Sequence, residues 1–176
     1  MNAVAQQAHT LNGGKIIDAV KRAGVEYVLS VPDLHTSKGL LYPIAGDKDL
    51  KLVRTCKEDE CIGISAGLTY GNKRSLILMQ YTGFLYAMNA IRAVSCEYRF
   101  PSVLMIGMLG MEEGVAPKSS KKFGLRIIAP ILETMEIPYE VIDSDDDVAK
   151  IAPAIENAYA NSRPTAFLIA RRPVAA

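Results

Sequence analysis

The sequence predicts one α/β domain, with a doubly wound, mainly parallel sheet of six strands and helices on both of its faces. Six short apolar runs do not alternate with polar residues, which is typical of strands that helices cover on both sides. Helical patterns separate these runs in regular order, as the crossovers of a parallel sheet require. The 176 residues suit a single domain with a complete core, and no linker or internal repeat divides them.

The first half of the chain alternates helix and strand. Asn12 is suited to cap a helix with one apolar face, and Gly24 is suited to end it. The next apolar run, EYVLSV, stops at Pro32. From there the patterns predict a strand at 26–31, a helix-like stretch at 34–45, a strand at 50–55 and a helix at 58–71.

The second half continues the same order. The patterns predict a strand at 75–80, a helix from about 84 to 96, a strand at 102–107, a helix at about 124–136, a strand at 139–143, a helix at 145–161 and a strand at 166–171. Ligands of such sheets gather at the carboxyl ends of the strands, where loops lead into helices. The candidate site positions are therefore 32–38, 55–61, 81–86 and 108–122.

Composition excludes several classes of function. Hydrophobic residues make up 49% and charged residues 22%, with a formal net charge of +1, so no basic stripe indicates nucleic acid. No apolar run approaches the ~20 residues that span a bilayer, and the polar N-terminus lacks a signal core. Three cysteines and two histidines do not form a recognisable metal-ligand or triad pattern. We expect a cytoplasmic protein that binds neither nucleic acid nor membrane and holds no metal itself.

Three consecutive acids, Glu58, Asp59 and Glu60, start the third predicted helix, directly before a stretch of small residues at 62–67. Acids are favoured in the first turn of any helix because they complement its dipole. The alternative is that one of the three faces a pocket and takes part in chemistry. The local pattern alone favours the structural interpretation.

Four segments in a fixed order within residues 25–143 carry a resemblance to a known family. They are VEYVLSVPD, KEDECIGISAGLTYG, LILMQYTGFLYAMNAI and MEIPYEVID. Together they resemble the pyrimidine-binding domain of thiamine-diphosphate-dependent 2-oxoacid decarboxylases. The likeness is to the α subunit of sulfopyruvate decarboxylase and the matching half of phosphonopyruvate decarboxylase. The resemblance implies the thiamine-diphosphate-binding fold for the whole chain, 1–176.

The resemblance implies roles for particular residues. The family's glutamate hydrogen-bonds N1′ of the cofactor's pyrimidine, and it precedes the glycine of an Ala-Gly pair by nine residues. Glu58 and Gly67 keep that spacing, which selects Glu58 from the three acids as the catalytic residue. The cofactor-binding residues implied in this way are Glu58, Gln80, Thr82, Gly83 and Phe84.

The chain departs from the family where Asn-Ser-Gly-Leu-Gly-Asn is replaced by YTGFLY at 81–86. We expect Tyr81 and Tyr86 to contact substrate, which favours a bulkier or more apolar 2-oxoacid than a sulfonate or phosphonate. Ordinary packing of these rings under a loop is the alternative. His35 follows Pro32-Asp33 at a position where the family places substrate-contacting residues, so it is a second catalytic candidate. Its alternative is a solvent-facing loop histidine.

The family's diphosphate-binding motif, Gly-Asp-Gly with a downstream Asn, has no match, since Gly46-Asp47 is followed by Lys48. The resemblance therefore implies half of an enzyme. Thiamine diphosphate would be shared with a separate β subunit that also binds Mg²⁺, in an α2β2 heterotetramer that is inactive without the β chain. Two alternatives are a non-catalytic binding or regulatory module with the same fold, and an unrelated flavodoxin-like nucleotide binder. The absence of a phosphate loop after the first strand counts against the latter.

Overall fold

Six parallel strands form one sheet in a computed structural model of the chain, which describes residues 11–175. The strands are β1 (Tyr27–Ser30), β2 (Lys51–Arg54), β3 (Ser75–Gln80), β4 (Val103–Gly107), β5 (Tyr139–Ile142) and β6 (Thr165–Ile169). Their order across the sheet is β2-β1-β3-β4-β6-β5, and every adjacent pair is parallel. The predicted doubly wound sheet is confirmed. Residues 1–10, part of the polar N-terminus that counted against an export signal, lie outside the described residues.

Helices connect the strands. They are α1 (Gly13–Arg22), α2 (Tyr42–Gly46), α3 (Glu58–Tyr70), α4 (Tyr81–Ala90), α5 (Phe123–Arg126), α6 (Ile128–Thr134) and α7 (Ile151–Ala160). Wider π-helical turns lead into α2 at Ser37–Leu41 and continue α4 at Ile91–Glu97. Short 3₁₀ turns lie at Pro117–Ser119 and Asp145–Lys150. As the sequence predicts, the Asn12 side chain caps α1 by accepting the N–H of Lys15.

The sheet separates two apolar layers. Residues of α1, α2 and α7 pack on one face, and residues of α3, α4, α5 and α6 pack on the other. Right-handed crossovers explain this division. The connections β1 to β2 and β5 to β6 run towards one edge of the sheet, and the connections between β2 and β5 run towards the other, so their helices lie on opposite faces. Adjacent strand residues such as Leu76 and Ile77 point into different layers. Burial on both sides explains why the strands are continuously apolar.

Helix boundaries differ from the predicted ones in four places. The helix-like stretch expected at 34–45 consists of the π-helical turn at Ser37–Leu41 and the short α2. The helix expected from about 84 begins at Tyr81, because Gln80, the last residue of β3, already serves as its N-cap. The helix expected at 124–136 is divided into α5 and α6, and the one expected at 145–161 starts with a 3₁₀ turn. Pro130 and Pro153 fall in the first turns of α6 and α7, where a missing N–H breaks no helical hydrogen bond.

The strand order creates a reversal beside β1. The chain leaves β1 for β2 at one edge of the sheet and then returns to β3 on the other side of β1. Such a switch point leaves a crevice at the carboxyl ends of the two strands, where ligands of open α/β sheets bind. Among the helices of residues 11–175, none has both the length and the apolar character that a bilayer crossing requires.

Candidate functional site

A cavity of about 290 Å³ opens at this switch point. Three segments line it: the loop after β1 with the start of α2, the first residue of α3, and the junction between β3 and α4. The lining residues are Val31, Pro32, Asp33, Leu34, Ser37, Tyr42, Glu58, Gln80 and Thr82. Three of the residues predicted from the sequence, Glu58, Gln80 and Thr82, therefore share one cavity.

The three acids at the start of α3 have different surroundings. The Glu60 carboxylate accepts the backbone N–H groups of Cys56 and Lys57, at 3.1 and 3.3 Å. The Asp59 carboxylate accepts the N–H of Glu60 at 3.0 Å. The Glu58 carboxylate lines the cavity and makes no hydrogen bond or ion pair with any other residue in the described range. Asp59 and Glu60 thus stabilise the start of the helix, and only Glu58 is free to act on a ligand.

Gly83 is buried against the Glu58 side chain. A Cβ atom at position 83 would lie 2.4 Å from Oε1 and 2.5 Å from Cγ of Glu58, so no larger residue fits without displacing the acid. Since Gly83 belongs to the first turn of α4, the contact joins the beginnings of two neighbouring helices. The absence of a side chain at Gly83 therefore leaves the space that the Glu58 side chain occupies.

Gln80 and Thr82 give the cavity neutral hydrogen-bonding groups. Gln80 Nε2 donates to Thr82 Oγ1 at 3.0 Å, which leaves the hydroxyl proton of Thr82 free to donate to a ligand. Both groups come from the point where β3 ends and α4 begins, so a rigid junction places them.

The loop after β1 is held by Asp33, which is nearly buried. Its carboxylate accepts the N–H of Thr36 at 2.8 Å, the Thr36 hydroxyl, and the N–H of His35. The Ser37 hydroxyl donates to the Asp33 carbonyl. Asp33 is not among the site residues predicted from the sequence, although an Asp just before a turn often accepts the backbone N–H groups two and three residues on. Asp33 thus fixes the shape of one cavity wall.

His35 lies beneath this loop and does not line the cavity. Its side chain is 4% exposed, and its Nε2 lies 2.9 Å from the Ile169 carbonyl at the end of β6. Burial lowers the pKa of His35 below its usual 6.5, although the nearby Asp33 carboxylate partly opposes this. The alternative of a solvent-facing loop histidine is therefore wrong, and the catalytic role of His35 stays a prediction. The geometry favours a neutral ring that ties the loop to β6.

Two curated relatives match this chain over most of its length. The sulfopyruvate decarboxylase subunit alpha of Methanococcus maripaludis is 30% identical over 137 residues, which are 77% of this chain and 80% of that protein. The sulfopyruvate decarboxylase subunit alpha of Methanocaldococcus jannaschii is 30% identical over 154 residues, 87% of this chain and 89% of that protein. The chain belongs to the sulfopyruvate decarboxylase alpha-subunit family.

A longer relative matches in part. The sulfopyruvate decarboxylase of Methanosarcina acetivorans is 25% identical over 158 residues, which are 88% of this chain but 39% of that protein. No family model matches the chain. Membership of the alpha-subunit family confirms the resemblance that was found in the four sequence segments.

The structure does not bring Tyr81, Phe84 or Tyr86 to the cavity of this alpha-subunit family member. The Phe84 side chain is fully buried in the layer that contains α3, α4 and α6. The Tyr81 ring packs against Gly124, and Tyr86 is 56% exposed on the outer side of α4. Because α4 begins at Tyr81, helical periodicity turns these side chains in different directions. Within residues 11–175, no group of three or more His, Cys, Asp or Glu side chains is arranged to hold a metal ion.

Proposed function

We propose that the chain is the subunit of a 2-oxoacid decarboxylase that holds the pyrimidine end of thiamine diphosphate, with Glu58 as its catalytic residue. The decarboxylase activity is supported by the names of the relatives, each a sulfopyruvate decarboxylase or its alpha subunit. One observation carries the residue assignment. Glu58 alone of three adjacent acids is without a partner in the described range, and it is seated against Gly83 in the switch-point cavity.

The residues present fit a pyrimidine ring. An aromatic ring with basic nitrogens needs a carboxyl group that can share a proton, neutral hydrogen-bonding groups and apolar walls, and the cavity provides all three through Glu58, Gln80, Thr82 and Val31. The same cavity does not fit a diphosphate. No Lys or Arg is among its lining residues in the described part of the chain.

The chain's own contribution is the placement of one proton-sharing group. When bound, thiamine diphosphate supplies the electron sink that accepts the electron pair left as CO₂ departs. Glu58 would offer a carboxyl oxygen at which a proton can be shared in a hydrogen bond to the pyrimidine nitrogen N1′. The first turn of α3 fixes the Glu58 backbone, and Gly83 limits where its side chain can go. Proton-transfer groups positioned in this way typically contribute about 10²–10⁴-fold to a rate.

A partner chain completes this proposal. The name "subunit alpha" of the relatives implies a second subunit for those proteins. For this chain we propose a β subunit that binds the diphosphate and Mg²⁺, in a cytoplasmic heterotetramer of two chains of each kind. The exposed side of α3 has room for a partner helix, since a Cβ atom at Gly63 or Gly67 would meet nothing within 4 Å.

A non-catalytic module gains no support from the structure. The departure from the family at YTGFLY, residues 81–86, would favour such a module if its aromatic residues lay beside the cofactor. Those rings lie in the core or on the outer side of α4, and they leave the cavity and Glu58 unobstructed. Family membership likewise leaves a flavodoxin-like nucleotide binder without support.

Reconstitution with the β chain tests the proposed function. The isolated chain is expected neither to decarboxylate 2-oxoacids nor to bind thiamine diphosphate tightly, whereas the complex is expected to do both. Isothermal calorimetry with thiamine diphosphate and a CO₂-release assay give the two readouts. Micromolar binding of the cofactor by the isolated chain would contradict the division of the site between two chains. A complex that binds the cofactor but decarboxylates no 2-oxoacid would establish the non-catalytic module instead.

A further inference from the structure

One continuous stretch of the chain, residues 31–42, provides most of the switch-point cavity, and we call it the cavity segment. It contributes six of the nine lining residues: Val31, Pro32, Asp33, Leu34, Ser37 and Tyr42. The other three, Glu58, Gln80 and Thr82, belong to α3 and to the junction of β3 and α4. The position of the cavity segment relative to α3 and α4 therefore sets the width of the cavity.

The cavity segment is held at Gly39, where three stretches of backbone meet. A Cβ atom at Gly39 would overlap the Pro173 carbonyl group and lie 2.6 Å from Pro173 Cβ. A Cβ atom at Gly13, the first residue of α1, would overlap the Gly39 carbonyl group. Only glycine allows backbones to approach so closely. Gly39 is thus fixed between the start of α1 and residues 171–174, which we call the β6 extension.

The β6 extension is itself anchored on both sides of Pro173. Before it, Arg171 Nε donates to the Asp143 carbonyl at the end of β5, at 2.8 Å. After it, the Val174 carbonyl accepts the N–H of Gly13 at 2.9 Å. Pro173 is buried between these anchors, and its ring fixes its φ angle. The extension is therefore a firm support for the residue that it contacts in the cavity segment.

The support of the cavity segment is separate from that of the acid. Leu40 and Leu41, which follow Gly39, pack in the apolar layer that contains α1, α2 and α7. Glu58 is placed by α3 and by Gly83 in α4, and these helices pack on the opposite face of the sheet. A change at Gly39 is therefore expected to move one wall of the cavity without moving the carboxyl group of Glu58.

We propose that the β6 extension is a positioning element for the cofactor site. Through Gly39 it holds the cavity segment at the distance from α3 at which the pyrimidine ring fits. The inference rests on the proposed function, because it concerns the binding of the same cofactor. Gly39 and Pro173 are not among the lining residues, so they act through the cavity segment. Loosening this support weakens cofactor binding and leaves the proton sharing by Glu58 in place.

Calorimetry with thiamine diphosphate on the reconstituted complex tests this inference. Gly39→Ala should raise the Kd of the cofactor by at least ~10-fold, because the cavity segment must move to admit the new Cβ atom. At saturating cofactor, kcat should stay within about threefold of the native value. Gly46→Ala is the matched control, since a Cβ atom there meets nothing within 4 Å. A native Kd in Gly39→Ala would overturn the inference alone, whereas a native complex that binds no thiamine diphosphate would overturn the proposed function as well.

Pro173→Gly makes the same test without creating an overlap, so it decides the question if Gly39→Ala does not assemble. It removes Pro173 Cβ and the fixed φ angle, and it should raise the Kd of thiamine diphosphate. The double variant Gly39→Ala/Pro173→Gly should bind the cofactor more tightly than Gly39→Ala, because glycine at position 173 lets the extension move away from the new methyl group. Losses of affinity that simply multiply would show that the two residues act independently, and the inference would fail.

Hydrogen exchange in the cofactor-free complex locates the change. The Leu40 N–H donates to the Thr36 carbonyl at 2.8 Å, so its exchange reports on the order of the cavity segment. Pro173→Gly should speed exchange in peptide 33–42 by at least ~10-fold and leave peptide 58–70 unchanged. Ile155→Val, which removes one methyl group from α7 in the same apolar layer, controls for general destabilisation. Equal acceleration in both peptides, or acceleration in neither, would contradict the positioning role.

Discussion

Two crevices at opposite ends of the sheet differ in chemistry more than in size. The crevice at the amino ends of the strands has a volume of about 380 Å³, against about 290 Å³ for the cavity at the carboxyl ends. Its lining residues are Ser95, Cys96, Arg99, Met135, Glu136, Ser162, Arg163 and Pro164. Of these two crevices, the larger one does not contain Glu58.

Helix direction explains the contrast. Three helical segments end at the amino-end crevice, where Arg99, Glu136 and Ser162 take positive φ values of 57°, 55° and 49° just past the last helical turn. Helix ends present carbonyl groups and partial negative charge, which Arg99 and Arg163 are suited to offset. At the carboxyl end, α3 and α4 begin, and Glu58 is left without a partner in the described range. The amino-end crevice thus places cations beside helix ends, which they complement, whereas the cavity at the carboxyl ends contains an acid that a ligand can reach.

The largest effect is expected from the acid in the cavity. In the assembled complex, Glu58→Gln should reduce turnover by at least ~100-fold, because glutamine keeps the size but cannot share a proton. Asp59→Asn and Glu60→Gln are matched controls that should leave turnover within a few-fold, since their carboxylates accept backbone N–H groups of the helix start. Steady-state CO₂ release measures all three. Equal losses in the three variants would show that the helix start matters and that Glu58 has no special role.

A smaller loss of turnover is expected when one methyl group is added beside Glu58. Gly83→Ala should reduce turnover by at least ~10-fold, because its Cβ would collide with the Glu58 carboxyl group. Gly46→Ala is the control, since a Cβ there meets nothing within 4 Å. Thermal unfolding of both variants separates displacement of Glu58 from general destabilisation. Full activity in Gly83→Ala would show that turnover does not depend on the packing of the Glu58 side chain against Gly83.

A smaller, pH-dependent effect is expected from His35. The pKa of its buried ring is lowered from 6.5 in the folded state, so the unfolded chain takes up a proton first as pH falls. The stabilising contribution of the neutral ring is complete above pH 6.5 and is lost from there down to the lowered pKa, with a slope of at most ~1.4 kcal/mol per pH unit. His35→Gln can still donate to the Ile169 carbonyl and should flatten this dependence in urea unfolding at pH 7.5, 6.5 and 5.5. If His35→Gln folds stably but loses turnover, His35 is catalytic, as the sequence suggested.

The smallest effect belongs to the amino-end crevice. Arg99→Ala and Arg163→Ala should each leave kcat/KM of the complex within about twofold, because neither residue approaches the switch point. A stability loss of roughly 0.3–1 kcal/mol is expected if each arginine offsets a helix end. Urea unfolding and steady-state kinetics give the two values. A large fall in kcat/KM would show that the amino-end crevice takes part in function, and it would contradict the distinction between the two crevices.

Much of the fold could be predicted from the sequence because the strands are buried on both faces and therefore read as six apolar runs. Glu58 and Gly83 could be placed through motif spacing, but their contact could not, since it depends on how α3 and α4 pack side by side on one face of the sheet. The aromatic residues at 81–86 were expected in the site because they replace the family's Asn-Ser-Gly-Leu-Gly-Asn segment, and a motif match does not say which way each side chain turns. Beginning α4 at Tyr81 turns Phe84 into the core.

The central claim is that Glu58, and neither of its acidic neighbours, shares a proton with the cofactor. Hydrogen–deuterium exchange at C2 of thiamine diphosphate bound to the complex, followed by NMR, tests this claim before any substrate is added. Glu58→Gln should slow the exchange by at least ~100-fold, while Asp59→Asn and Glu60→Gln should exchange like the native complex. Slow exchange in Glu60→Gln with fast exchange in Glu58→Gln would contradict the account.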